Sequence, residues 1–159
     1  MGSFSTELEP SFVVERMLHR GDCLTFHLDG ERFGAAVVLA LDVMDGVDVA
    51  IVAVTRLALD HRPEASEVAG AEVLVINYDG LLVPTREIYV LRVGSFRSHA
   101  DLFVTMGQLA VNREHDAATF IRAGDGWDGI MDTVNRQLAW ELDCPAPTER
   151  LLLAELLGS

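Results

Sequence analysis

From Gly21 onward the chain alternates. Cys23, Thr25 and His27 interleave with Leu24, Phe26 and Leu28, a period of two that places the last three on one face of a strand. Asp29-Gly30 follows, a strong hairpin signal between alternating segments, and Phe33 to Leu41 (FGAAVVLAL) reads as the return strand. Gly34 near its start signals a bulge or a close backbone approach. Val49 to Leu59 (VAIVAVTRLAL) is apolar on both faces and rich in β-branched residues, which predicts a central, well-covered strand. The turn before it holds Asp42, Asp45, Gly46 and Asp48. A polar connection, Asp60 to Gly70, leads to two further strands, Ala71 to Tyr78 and Glu87 to Val93, separated by Asp79-Gly80 and Pro84. Leu102 to Val111 fits either strand or helix.

Towards the C-terminus the period lengthens. Trp127, Ile130, Met131, Val134, Leu138 and Leu142 recur at spacings of three and four, the stripe of an amphipathic helix over 125–143. Asp125 is placed to cap it, or Asp128 to sit in its positive first turn, and Cys144-Pro145 ends it. A second helix is expected over 148–157 with Thr148 as its cap. At the other end, residues 1–11 form a polar lead-in, and Phe12, Val13, Met17 and Leu18 give the segment from Ser11 to His19 one apolar side. The expected class is α+β, in one domain over 1–159. About five antiparallel strands within a β-rich core over 12–111 curl into a small barrel or half-barrel, with helices in the C-terminal third.

Charge narrows the partners. The 159 residues include 25 acids and 12 basic residues, every one of them Arg, for a net charge of −13. Nucleic acid and anionic membrane both require clustered positive charge, so neither is an expected partner. Residues 1–80 hold 14 acids against five arginines, so the first half carries most of the surplus. Such a field draws in a basic partner, or simply keeps the chain soluble. MGSFSTELEP has neither a basic n-region nor an apolar core, so no secretory leader is expected, and no apolar run reaches the ~18 residues of a membrane span. The default compartment is the cytoplasm, where Cys23 and Cys144 would stay reduced.

The residue types that carry chemistry do not assemble into a site. His19, His27, His61, His99 and His115 lack any paired metal-ligand spacing, and Cys23 and Cys144 stand alone. Asp42, Asp45 and Asp48 sit three apart, with Val43 and Met44 intruding and no bidentate acid following, unlike a calcium loop. Gly124-Asp125-Gly126-Trp127-Asp128-Gly129 resembles a phosphate loop in its glycines, but it has no lysine and its two aspartates repel phosphate. Ser95, Ser98 and Thr105 lack a nucleophile-elbow context, and Cys23 reads as a small buried hydrophobe. No enzyme activity, cofactor or metal is expected. Of the two tryptophans, Trp127 is expected to anchor the helix, and Trp140 to lie at the core's edge or at an interface.

The segment from Arg20 to Val38 resembles the opening hairpin of bacterial immunity proteins of the Immunity protein 26 type. The likeness rests on Gly21-Asp22, Phe26, Leu28, Asp29-Gly30, Phe33-Gly34 and Val37-Val38, about an eighth of the chain. The resemblance implies an SH3-like partial barrel and a small cytoplasmic antitoxin that neutralises a toxin by binding it, without catalysis. The contact residues expected for a basic partner are Asp42, Asp45, Asp48, Glu64 and Glu67, clustered on predicted loops. Two other readings stay open: a ligand pocket near His27, Arg32 and Tyr78, and a structural domain that self-associates.

Overall fold

The computed structural model describes residues 17–79, 84–116, 126–143 and 150–158. The alternating segment after Gly21 forms strand β1 (Asp22–Leu28), which returns as the long β2 (Arg32–Met44), and β3 (Val47–Val54) doubles back along β2. A short helix α1 (Ala65–Ala69) precedes a two-stranded ribbon of β4 (Val75–Asp79) and β5 (Pro84–Ile88). β6 (Val90–Gly94) runs into a 3-10 helix over Phe96–Leu102, followed by β7 (Val104–Gln108). Helices α2 (Gly129–Asp143) and α3 (Leu153–Leu157) complete the described elements.

Five strands make one antiparallel sheet in the order β6-β3-β2-β1-β7. It is open, with β6 and β7 at separate edges, so the expected curling into a half-barrel does not occur. The physical reason is how its faces are covered. On one face Leu24, Phe26, Ala36, Val38, Val52 and Val54 pack with Trp127 and with Ile130 and Val134 of α2. On the other, Cys23, Ala35, Val37, Leu39, Ile51 and Ala53 pack with Val68 of α1 and with Leu153, Leu156 and Leu157 of α3. A sheet roofed on both sides has no bare face to wrap inward, and its middle strands read as unbroken apolar runs.

Several expected boundaries move for local reasons. β3 ends at Val54 rather than reaching Leu59. Thr55 instead bridges to Val73, and Leu59 to Phe33. The strand expected over residues 87–93 is cut at Tyr89, whose N–H bonds the Leu74 carbonyl at 2.8 Å while its carbonyl accepts from Val54 at 3.0 Å, so β5 pairs with β4 and β6 with β3. The ambiguous segment after residue 101 finishes the 3-10 helix and becomes β7. α3 is shorter than expected because Leu151 and Leu152 lie extended along residues 71–73, with Leu152 bridged to Glu72. The proposed caps Asp125 and Thr148, the lead-in over 1–11, Phe12, Val13 and Cys144 lie outside the described residues.

The residues that carried the family resemblance turn out to build the first hairpin. Gly21 has φ of 93°, and a Cβ there would collide with the Leu109 carbonyl oxygen, held close because the Leu109 N–H donates to the Gly21 carbonyl at 2.8 Å. A Cβ on Gly34 would come within 2.6 Å of the Phe26 ring, so glycine is what lets that ring lie flat in the core. Asp22, nearly buried, accepts from the His19 backbone and from Gln108 Nε2, both at 2.8 Å, which pins the chain's approach to β1 and β7 together.

Across the far side, Arg56 donates two hydrogen bonds of 2.7 Å to Glu141 of α2 and lies 3.7 Å from Glu72, which also binds Arg150 at 2.9 Å. Burial pushes the Glu141 carboxyl up, but the bonds from Arg56 and Gln137 outweigh it and hold its pKa below the ordinary value. This bidentate pair ties α2 to the end of β3.

Candidate functional site

β2 and β3 run on beyond the covered part of the sheet. Their ladder slips between Val38, opposite Val52, and Ala40, opposite Ile51. The slip is a bulge, and it changes which residues of β2 share a face. Before it, Ala36 and Val38 face α2. After it, Leu41 opposes Ala50 and Val43 opposes Asp48, so the odd-numbered positions now continue that face. They continue it into solvent: Leu41 is 44% exposed and Val43 60%, while Val47, paired with Met44 on the other face, is 48% exposed. The strands close through Asp45-Gly46, with φ of 53° and 79°, the two positive values of a type I′ hairpin turn. The projecting arm therefore alternates bare apolar side chains with aspartates.

The arm forms one bank of a groove of about 650 Å³. Leu41 and Val43 line that side and Val93 and Phe96 the other, with Trp127 and, at the arm's tip, Gly46 and Val47 also among the lining residues. Trp127 is only 1% exposed and meets Phe96 and Phe103 edge-on, at 4.9 and 5.4 Å between ring centres. Its indole N–H has no hydrogen-bond acceptor among the described residues, a cost of roughly 1–3 kcal/mol for a buried donor. Ser95, at the start of the opposite bank, holds a left-handed φ of 60°, itself worth on the order of 1 kcal/mol of strain. Arg97 is the one cation among the described lining residues, which also include Asp42 and Asp48 of the arm.

The five acids expected to touch a partner fall into two groups. Asp42 and Asp48 lie within β2 and β3 rather than in a loop, and Asp45 alone occupies the two-residue turn. Asp42 accepts only from its neighbour Val43 N–H, at 2.7 Å, while Asp45 and Asp48 have no hydrogen-bond or ion-pair partner among the described residues. Glu64 and Glu67 start α1, on the opposite face of the sheet. Glu67 accepts from the Glu64 backbone at 3.0 Å and from His61 Nε2 at 2.9 Å, and His61 Nδ1 meets Asp60 at 3.0 Å. Those partners raise the His61 pKa, through Glu67 first and Asp60 second, and the Glu64 N–H and His61 together lower that of Glu67. Glu67 is engaged in closing its own helix start. Of the five, Asp42, Asp45 and Asp48 share the β2–β3 arm, whereas Glu67 is tied to His61 and the Glu64 backbone.

The ligand pocket expected near His27, Arg32 and Tyr78 does not gather those residues. His27 stacks on Phe33 at 4.7 Å, and the Arg62 guanidinium lies over the same ring at 4.7 Å while donating to Thr25 Oγ1 at 2.8 Å. Arg32 opposes Leu28, on the other face, and donates to the Asp29 carbonyl at 3.1 Å. The Tyr78 side chain lies outside the described residues. Arg62 thus clamps the chain across β1. Cys23 is buried, and burial together with Asp22 pushes its thiol up to about 11, far from a thiolate nucleophile at neutral pH. Trp140 stands partly exposed on α2, and Trp127 is in the core.

What the sequence could not reveal is the groove itself, which joins positions 41–48, 93–98 and 127. Each stretch reads alone as strand, turn or helix entry, and only the bulge and the β3–β6 pairing bring them together. Among the described residues no group of three or more His, Cys, Asp or Glu is placed to hold a metal, and no helix is long and apolar enough to cross a membrane. The chain matches no family model, no curated protein and no solved structure.

Proposed function

We propose that the chain is an acidic, non-enzymatic interaction protein that holds a cationic protein partner against the β2–β3 arm, in the manner of a cytoplasmic immunity protein holding its toxin. The observation that carries this reading is the arm: aspartates without cationic partners, interleaved with bare apolar side chains, on a strand pair that projects beyond both helical layers. Exposed apolar surface of this kind marks an interaction site, and the surrounding charge sets partner choice and the speed of encounter. The opening hairpin supports the immunity part of the proposal. Its motif residues serve the fold, so they speak for kinship with those proteins and leave the contact surface to the arm. With the SH3-like half-barrel expected of those proteins this sheet shares the antiparallel pairing of β1, β2 and β3 but not the curl.

The test is association with the product of the neighbouring open reading frame, measured by calorimetry on purified proteins across a salt series. The reading expects tight binding that weakens as salt rises. It also expects a loss of tenfold or more, as an order of magnitude, when Asp45 and Asp48 are both changed to Arg. Absence of any association would overturn the immunity proposal. Binding untouched by the double reversal would overturn the arm as its contact.

A further inference from the structure

Resting on the docking reading above, we infer that the groove between the arm and the 3-10 turn receives a segment of the partner in which apolar side chains alternate with Lys or Arg. The bank of Leu41 and Val43 is solvent-exposed and apolar, and the groove's volume of about 650 Å³ is of a size that buries several side chains. Asp48 opposes Val43 on the face that carries Leu41 and Val43, with Asp45 at the tip, and the carboxylates of Asp45 and Asp48 are engaged by nothing among the described residues. An extended segment, whose alternate side chains share a face, directs its apolar side chains into the groove and brings its flanking cations near these aspartates. The opposite bank fixes the polarity. The Arg97 guanidinium makes no hydrogen bond or ion pair among the described residues, so a cation of the bound segment is favoured on the arm side and disfavoured beside the 3-10 turn.

Charge complementarity selects this occupant over a second copy of the chain. Two copies at −13 each repel, and their arms would bring like aspartates together. It also selects it over an acidic or neutral apolar segment, which would leave Asp45 and Asp48 unpaired at the edge of a drying contact.

The experiment uses the full chain and three fluorescent synthetic peptides of equal length: alternating Lys and Leu, alternating Lys and Ser, and alternating Glu and Leu. Anisotropy titrations at low salt are expected to show the Lys–Leu peptide binding at least about tenfold more tightly than either control. Val43→Asp is expected to weaken that binding about tenfold, since it places a charge on the apolar bank. Asp48→Arg should weaken it severalfold and Arg97→Glu should strengthen it, with thermal unfolding midpoints unchanged in all three variants as the check on folding. Equal binding of Lys–Leu and Lys–Ser would overturn the groove inference while leaving charge-driven docking standing. Equal binding of Glu–Leu would overturn the charge argument for this occupant. No binding by any peptide would also overturn the inference, whereas the docking reading is decided separately by the calorimetry with the neighbouring gene product. A mass that grows with concentration and is lost in Val43→Asp would show that the arm covers itself, and would overturn it too.

Discussion

The same two strands behave differently at their two ends. At the base of the β2–β3 pair, Ala36 to Leu39 and Ala50 to Val54 are buried on both faces, between α2 on one side and α1 and α3 on the other. At the tip, residues 41–48 continue the same ladder with three aspartates set among Leu41, Val43, Met44 and Val47, and Leu41, Val43 and Val47 stand exposed. An apolar side chain on this ladder is therefore not buried merely for being apolar. The bulge at Leu39 and Ala40 turns the arm, and the arm then extends past the end of the helical cover. A covered apolar strand is a stability element, and an uncovered one with unpaired aspartates is a surface kept for something else.

The comparison can be broken first by stability. Leu39→Ala, at the fully buried base, should cost about 2–5 kcal/mol in chemical denaturation, and Val43→Ala on the arm should stay within about 0.5 kcal/mol. Similar losses at the two positions would mean that the arm is packed in solution and not free.

A smaller effect tests the clamp that holds α2 over the base. Glu141→Gln removes the bidentate partner of Arg56 and should cost about 1–2 kcal/mol at neutral pH, less than for a fully buried pair because both side chains keep some solvent. The sign with pH follows from the lowered carboxyl pKa. Its contribution is complete above the ordinary carboxylate value and disappears as pH falls through the folded value. The difference between wild type and Glu141→Gln should therefore shrink on acidification, and a constant difference across the acid range would assign the loss to packing instead.

Dynamics gives a further contrast. Amides of Val43, Asp48 and Val49 on the arm should exchange with deuterium faster than those of Val37, Val38 and Val52 at the base, since the arm has hydrogen bonds but little cover. The smallest effect concerns α1. Glu67→Gln should bring the His61 pKa, read by NMR titration, back down towards its ordinary value with little change in stability. In the wild type the raised value means that whatever the pair contributes is complete below the unfolded-state pKa of His61 and lost as pH rises through the folded one. An unchanged His61 titration would show that the Glu67 contact does not persist in solution, reopening Glu67 as a partner-binding acid.

The first hairpin was legible because three local signals agree there: alternation in residues 23–28, Asp29-Gly30, and an apolar return. The interior place of β3 was legible for the same reason, its apolar run being continuous. The bulge was not, because FGAAVVLAL is apolar at every position and a one-residue slip leaves no mark on such a pattern. The open sheet was misread as curled because the roof on its second face comes partly from α1, five residues inside what reads as a polar connection. The acids of the arm were found by their clustering, but their separation from Glu64 and Glu67 depended on pairings that only the folded chain makes. The Arg56–Glu141 pair spans 85 residues, beyond any local pattern.

The central claim is that the arm and its groove form the docking face. Its most direct test is an amide chemical-shift map of the full chain titrated with the alternating Lys–Leu peptide. The account predicts shifts concentrated at residues 41–48 and 93–98, with a response from the Trp127 indole N–H and little change around His61 and Arg62. Shifts centred on α1, or spread evenly over the acidic surface, would contradict it.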